Sequence, residues 1–153
     1  MKIELRKQIQ MRSSAYESVL LQQVERYAYE KDRYNIEYAI AVGTTTETLD
    51  MQGFSQTIRM TDSFIMLDDN MYAVVFASAS TELGVKAASN LLHKFEMQFF
   101  TSKIFLGIIS SQAESDPKKM VRKLFTTLSY SIAEGMSNIP IDYEHIADES
   151  YAI

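Results

Sequence analysis

Between Ser63 and Phe76 the chain reads SFIMLDDNMYAVVF, two stretches rich in strand formers separated only by Asp68, Asp69 and Asn70. Strand formers on both sides of so short a polar tip have one solution, an antiparallel β-hairpin, because a parallel pair would need a long crossover. Asn and Asp suit the tip, since both tolerate left-handed backbone conformations. A lone hairpin is marginal in water, so the rest of the chain must supply what it pairs with and packs against.

Upstream, Ser14-x-x-Glu17 has capping-box spacing, and Tyr16, Val19, Leu20, Val24, Tyr27 and Ala28 recur at helical intervals. This predicts an amphipathic helix reaching about Lys31, with Glu25, Arg26 and Glu30 toward water. NIEYAIAV alternates Ile36, Tyr38, Ile40 and Val42 with smaller or polar residues, a strand ending at Gly43. A short helix is expected after Thr46, weakened by Gly53, with the Thr44-Thr45-Thr46 run as its cap. Beyond the hairpin, Ser78 to Thr81 can cap a helix carrying Val85, Ala88, Leu91, Leu92 and Phe95, and KIFLGII is a further strand. Asp116-Pro117 sets an N-cap before a proline at the first helical position; Met120, Val121, Leu124, Phe125, Leu128 and Ile132 follow, and Gly135 ends the helix. After Pro140 the expectation is a short extended segment and a loose acidic end.

Setting aside the first and last helices leaves βαββαβ, which places the chain in the α+β class with a ferredoxin-like core: a mostly antiparallel sheet, helices packed on one face, a hairpin projecting from one end. The 153 residues, 46% of them hydrophobic, suit a single domain whose core spans about 13–140. Cysteine is absent, which excludes disulfides and thiolate chemistry, and only His93 and His145 could ligate through imidazole. A net charge of −5 disfavours DNA or RNA as a partner. The opening MKIELRKQIQ is neither a secretory signal nor a membrane span, so a cytoplasmic setting is expected.

With this order of elements, the chain resembles the GGDEF family, the diguanylate cyclase domain of bacterial cyclic-di-GMP signalling. In that family an Arg-x-x-Asp motif is followed, after five intervening residues, by the Gly-Gly-Asp/Glu-Glu-Phe signature on a hairpin. Arg59 and Asp62 match the first motif, and the same offset sets Asp68, Asp69, Asn70, Met71 and Tyr72 under the signature. AVVF looks like the family's apolar strand, KIFLGII resembles its Ser-x-Gly strand, and LFTTLSYSIAEGMSN resembles its closing helix, with Tyr130, Gly135 and Asn138 in register. The likeness runs from Ser13 to Asn138.

The departures fall on the chemistry. In active members paired glycines let the backbone approach the nucleotide, and acids on the hairpin and at the end of the first strand hold magnesium. Here Asp68 and Asp69 bring side chains where the glycines would be, Asn70 is a neutral acceptor, Met71 has no carboxylate, and Val42-Gly43-Thr44-Thr45 offers no acid. The link from Gly43 to Arg59 is also too short for the family's nucleotide-contacting segment. Phosphoryl transfer depends on metal charge and positioning, so the resemblance implies a domain without cyclase activity, catalytic residues, metal or cofactor.

What survives is Arg59-x-x-Asp62, the family's inhibitory product-binding pair. An Arg fork can bond guanine O6 and N7 while a carboxylate accepts from N1–H and the exocyclic amine. The resemblance therefore implies a regulatory domain that receives cyclic-di-GMP and acts on a neighbouring sensor domain or protein partner. A ligand-free module that homodimerises or docks through its first helix or sheet edge is the alternative, and a residual cyclase the third. Asp68-Asp69 as half a metal site is weaker than the same pair as an exposed turn. Met51, Met60, Met66, Met71, Met97, Met120 and Met136 fit core gap-filling better than a partner surface. The first helix could continue a coiled coil, although its apolar residues sustain no long heptad.

Overall fold

Nothing between Lys2 and Ser13 breaks a helix, and the structure carries α1 through Lys2–Tyr34 without interruption. Ser14-x-x-Glu17 is therefore not a helix start; Ser14 lies exposed in mid-helix, because Leu5 and Ile9 extend the buried stripe of Tyr16, Leu20, Val24 and Tyr27 toward the N-terminus. Val19, expected on that stripe, is exposed. This computed structural model describes residues 2–56, 58 and 62–146, with the side chains of residues 2 and 3 left aside. The acidic tail beyond Ile146 lies outside the described residues.

After α1 come β1 (Tyr38–Thr45), α2 (Gln52–Ser55), β2 (Ser63–Asp68), β3 (Met71–Ala77), α3 (Thr81–Gln98), β4 (Ile104–Ser110), α4 (Pro117–Ala133) and β5 (Pro140–Asp142). The strands form one sheet in the order β2-β3-β1-β4-β5. The first four alternate in direction, as the ferredoxin-like pattern requires, and β5 adds itself parallel to β4. The expected hairpin is β2–β3.

Strand β1 begins two residues later than Ile36 and runs past Gly43. Thr44 and Thr45 are fully buried strand residues, opposite Met71, Phe105 and Ile104, and they do not cap a helix. Gly43 sits inside the strand, where a Cβ would stand 3.0 Å from the end of the Ile104 side chain, which would have to shift to admit it.

Alternation along β1 sends Tyr38, Ile40 and Val42 to one face and Ala39 and Ala41 to the other. The first face joins Ile65, Ala73, Val75, Phe105 and Ile109 under α1 and α4. The second joins Tyr72, Val74, Phe76, Leu106 and Ile108 under α2 and α3. The two crossover helices thus share one face, as a ferredoxin-like core has them, and the first and last helices cover the other.

The helix signals in the second half hold. The Ser80 hydroxyl accepts from the Leu83 N–H and the Asp116 carboxylate from the Lys119 N–H, so both helices begin at side-chain caps. Gly135 adopts φ 66° just beyond α4, the left-handed turn that glycine makes without strain. Asn138, also left-handed, then donates its backbone N–H to the Ile104 carbonyl at 2.7 Å, which steers the chain into β5.

Candidate functional site

The hairpin tip and the segment leading into it hold the residues set under the Arg-x-x-Asp and signature motifs. At the tip, neither Asp69 nor Asn70 has positive φ, contrary to the left-handed turn expected. A register shift between Met66 and Asp68 places an irregularity at Leu67 instead, and such a bulge supplies the twist that a left-handed turn would otherwise give.

The tip is tied down on two sides. On the first, α1 presents Gln8, Arg12 and Tyr16, one helical turn apart and therefore on one face. Tyr16 Oη donates to Asp68 Oδ2 at 2.6 Å, and Arg12 Nη1 reaches the same oxygen at 2.6 Å. Gln8 and Asn70 exchange side-chain amide bonds, Nε2 to Oδ1 at 2.8 Å and Nδ2 to Oε1 at 3.1 Å, and Gln8 Nε2 also donates to Tyr16 Oη at 3.0 Å. On the second side, the end of β1 holds Asn70: its Nδ2 donates to the Thr45 carbonyl at 3.0 Å, while its own carbonyl accepts from Thr45 N–H at 3.1 Å and Thr44 Oγ1 at 2.8 Å.

Electrostatics follow the geometry. The Tyr16 hydrogen bond is the largest influence on the Asp68 carboxyl and holds it below its ordinary range, with help from the Asp69 N–H and Arg12 and against the opposing effect of burial. Burial, and then the bond to Asp68, push the Tyr16 phenol up. Met71 is fully buried and Tyr72 nearly so, the latter donating its hydroxyl to the Asp69 carbonyl at 3.0 Å. Asp69 alone of the five signature positions has an exposed side chain. The tip is thus a fastened corner in which Asp68 already has its counter-charge.

Asp62 lies at the opposite end of β2. Its Oδ1 accepts the Ala77 N–H at 3.0 Å, satisfying the last donor of β3 where the β2 ladder has ended. It also lines a cleft of about 150 Å³ between this segment and α3, with Ile58, Phe76, Asn90 and Lys94 among its walls. Arg59 lies outside the described residues, so the structure places one half of the pair. Asp62 and the tip sit at opposite ends of one strand and do not form a common site.

Sequence reading missed Gln8, Arg12, Tyr16, Thr44 and Thr45 as tip partners. The first three recur at four-residue intervals, with Tyr16 read as part of the apolar stripe, and nothing local tells that they face a hairpin more than fifty residues away. His93 is exposed on α3, and among the described residues no three His, Asp or Glu side chains are grouped so as to hold a metal ion. Met51, Met71 and Met120 fill the core, whereas Met66 and Met97 are exposed; Met60 lies outside the described residues. Among the described residues no helix is long and apolar enough to cross a membrane.

No family model and no curated protein sequence matches the chain. Solved structures do resemble it. The GGDEF domain of DgcB from Caulobacter crescentus, in complex with c-di-GMP, aligns with a TM-score of 0.64 at 10% identity, covering 84% of this chain and 88% of that one. The GGDEF domain of YfiN (TpbB) from Pseudomonas aeruginosa gives 0.65 at 8% identity over 82% and 93%. The FimX GGDEF domain from the same organism gives 0.64 at 12% identity over 82% and 92%. At these identities only the fold carries over, and the chain has the α+β fold of GGDEF domains.

Proposed function

We propose that this domain lacks cyclase chemistry and works as a regulatory module in cyclic-di-GMP signalling. The observation that carries the reading is the fastened tip. A cyclase hairpin must present backbone and carboxylates to a nucleotide and its magnesium, whereas here Asp68 is ion-paired with Arg12 and accepts a hydrogen bond from Tyr16, Asn70 is bonded to Gln8 and Thr45, and Met71 is buried. Opening that corner for a triphosphate would leave several polar groups to find new partners. The signalling context comes from the proteins of like fold, one of which has c-di-GMP bound.

Cyclic-di-GMP is received, in this reading, at Arg59 and Asp62, with the cleft beside Asn90 and Lys94 taking a portion of the ligand. Guanine offers Arg two acceptors and Asp two donors, a match neither phosphate nor ribose provides. Calorimetric titration of the whole chain with cyclic-di-GMP should give micromolar or tighter binding that Arg59→Ala abolishes. Incubation with GTP and magnesium should give no cyclic-di-GMP. Heat-free titrations of the unaltered protein would end the receptor reading, and nucleotide turnover would end the claim of lost chemistry.

A further inference from the structure

On the face of the molecule away from the Asp62 cleft, α1 and α4 enclose an open groove of about 690 Å³. Its floor is apolar, from Ile9 and Phe125, both nearly inaccessible. Its walls carry Arg6, Lys7 and Arg122 against one carboxylate, Glu17. That balance is the reverse of the chain's, which is −5. Three other cations of these two helices are matched internally: Arg12 by Asp68, Lys31 by Glu37, Lys123 by Glu114. Arg6, Lys7 and Arg122 are exposed, with no carboxylate within ion-pair distance among the described residues.

The spread of these charges selects the kind of occupant. Helix α1 turns back into β1 through three residues, β1 and β4 are antiparallel, and α4 follows β4 after a short loop, so α1 and α4 run antiparallel. The stacked Tyr16–Phe125 pair fixes their register. Arg122 therefore stands toward the Glu17 end of the groove and Arg6 and Lys7 at the other, about 16 Å away along α1 at 1.5 Å per residue. One compact anion cannot bridge that span. An elongated ligand can, and two helices flanking an apolar floor are the setting in which a third helix lays its own apolar stripe.

We propose that the α1–α4 groove is a docking site for an acidic amphipathic helix of a partner protein, its apolar stripe against the aliphatic stems of Arg6, Lys7 and Arg122 above the closed floor and its carboxylates on the charged ends of the same side chains. This surface is separate from the Arg59–Asp62 reading and stands or falls without it.

The probe is a displayed library of helical peptides with randomised faces, selected against the whole chain. Enriched sequences should carry Asp or Glu flanking an i, i+3, i+4, i+7 apolar stripe. Their binding should weaken at least tenfold in the triple variant Arg6→Glu, Lys7→Glu, Arg122→Glu and in high salt, and stay unchanged in Lys118→Glu, an exposed lysine on α4 outside the groove. Circular dichroism and thermal melting establish that each variant is folded. Failure to enrich any peptide, enrichment without acidic bias, binding indifferent to the triple variant, or displacement of the peptides by inorganic pyrophosphate at comparable concentration would each overturn the proposal.

Discussion

Tyr16 Oη donates to Asp68 while accepting from Gln8, so Tyr16→Phe removes two hydrogen bonds and leaves a partly buried carboxylate short of its nearest neutral donor. Urea unfolding should show a loss of about 1–3 kcal/mol, in line with deleting hydrogen bonds to a charged group. The acid branch of the stability profile carries the same signature. Asp68 is held below its ordinary range in the folded chain, so its contribution is complete above about pH 5 and is lost as pH falls through and below about 4. In Tyr16→Phe that acid loss should be shallower. Asp142 has the opposite sign: burial raises its carboxyl and its Oδ1 is enclosed without a hydrogen-bond partner. Its contribution is present below about pH 4 and disappears as pH rises through the raised value, so Asp142→Asn should raise Tm at pH 7 and confer no gain in acid. Tyr38, buried with its hydroxyl unpartnered and its ionisation pushed up to about 12, should tolerate Tyr38→Phe with unchanged or slightly higher Tm.

Among the elements, glycine sets how closely helices approach the sheet. A Cβ on Gly107 would stand 3.0 Å from the Leu128 backbone nitrogen of α4, and one on Gly84 would stand 2.8 Å from the Ala39 Cβ of β1. Gly107→Val must push against helix backbone, and chemical denaturation should show a loss of about 3 kcal/mol or more, with α4 displaced. These contacts explain which elements were legible in the sequence. The caps of α3 and α4 depend on side chains within one turn of the residues they satisfy, so Ser80 and Asp116 announced both helices. The start of α1 and the end of β1 depend on distant partners: Leu5 and Ile9 are helical because they complete a buried stripe, and Thr44 and Thr45 are strand because β3 and β4 lie alongside. The tip followed the same rule. That a turn falls at Asp68, Asp69 and Asn70 was readable, but its backbone conformation and its fastening to Gln8, Arg12 and Tyr16 are properties of the fold.

At the scale of the whole molecule, the sheet keeps α2 and α3 on one face and α1 and α4 on the other, and α1 belongs to the core as much as to the surface. Deleting residues 2–13 removes Leu5 and Ile9 from that core and Gln8 and Arg12 from the tip. Hydrogen exchange should then accelerate at the amides of Asp69, Asn70 and Met71 and along α4, with the β1–β3–β4 centre of the sheet remaining the slowest region. The same arrangement sets how the molecule bears load. A pull on the first turn of α1 loads Leu5, then Gln8 and Ile9, then Arg12 and Tyr16, before it reaches the apolar seam from Leu20 to Tyr27. The hairpin corner would be the first region of the domain to feel a tug on that end, and the strands behind it the last.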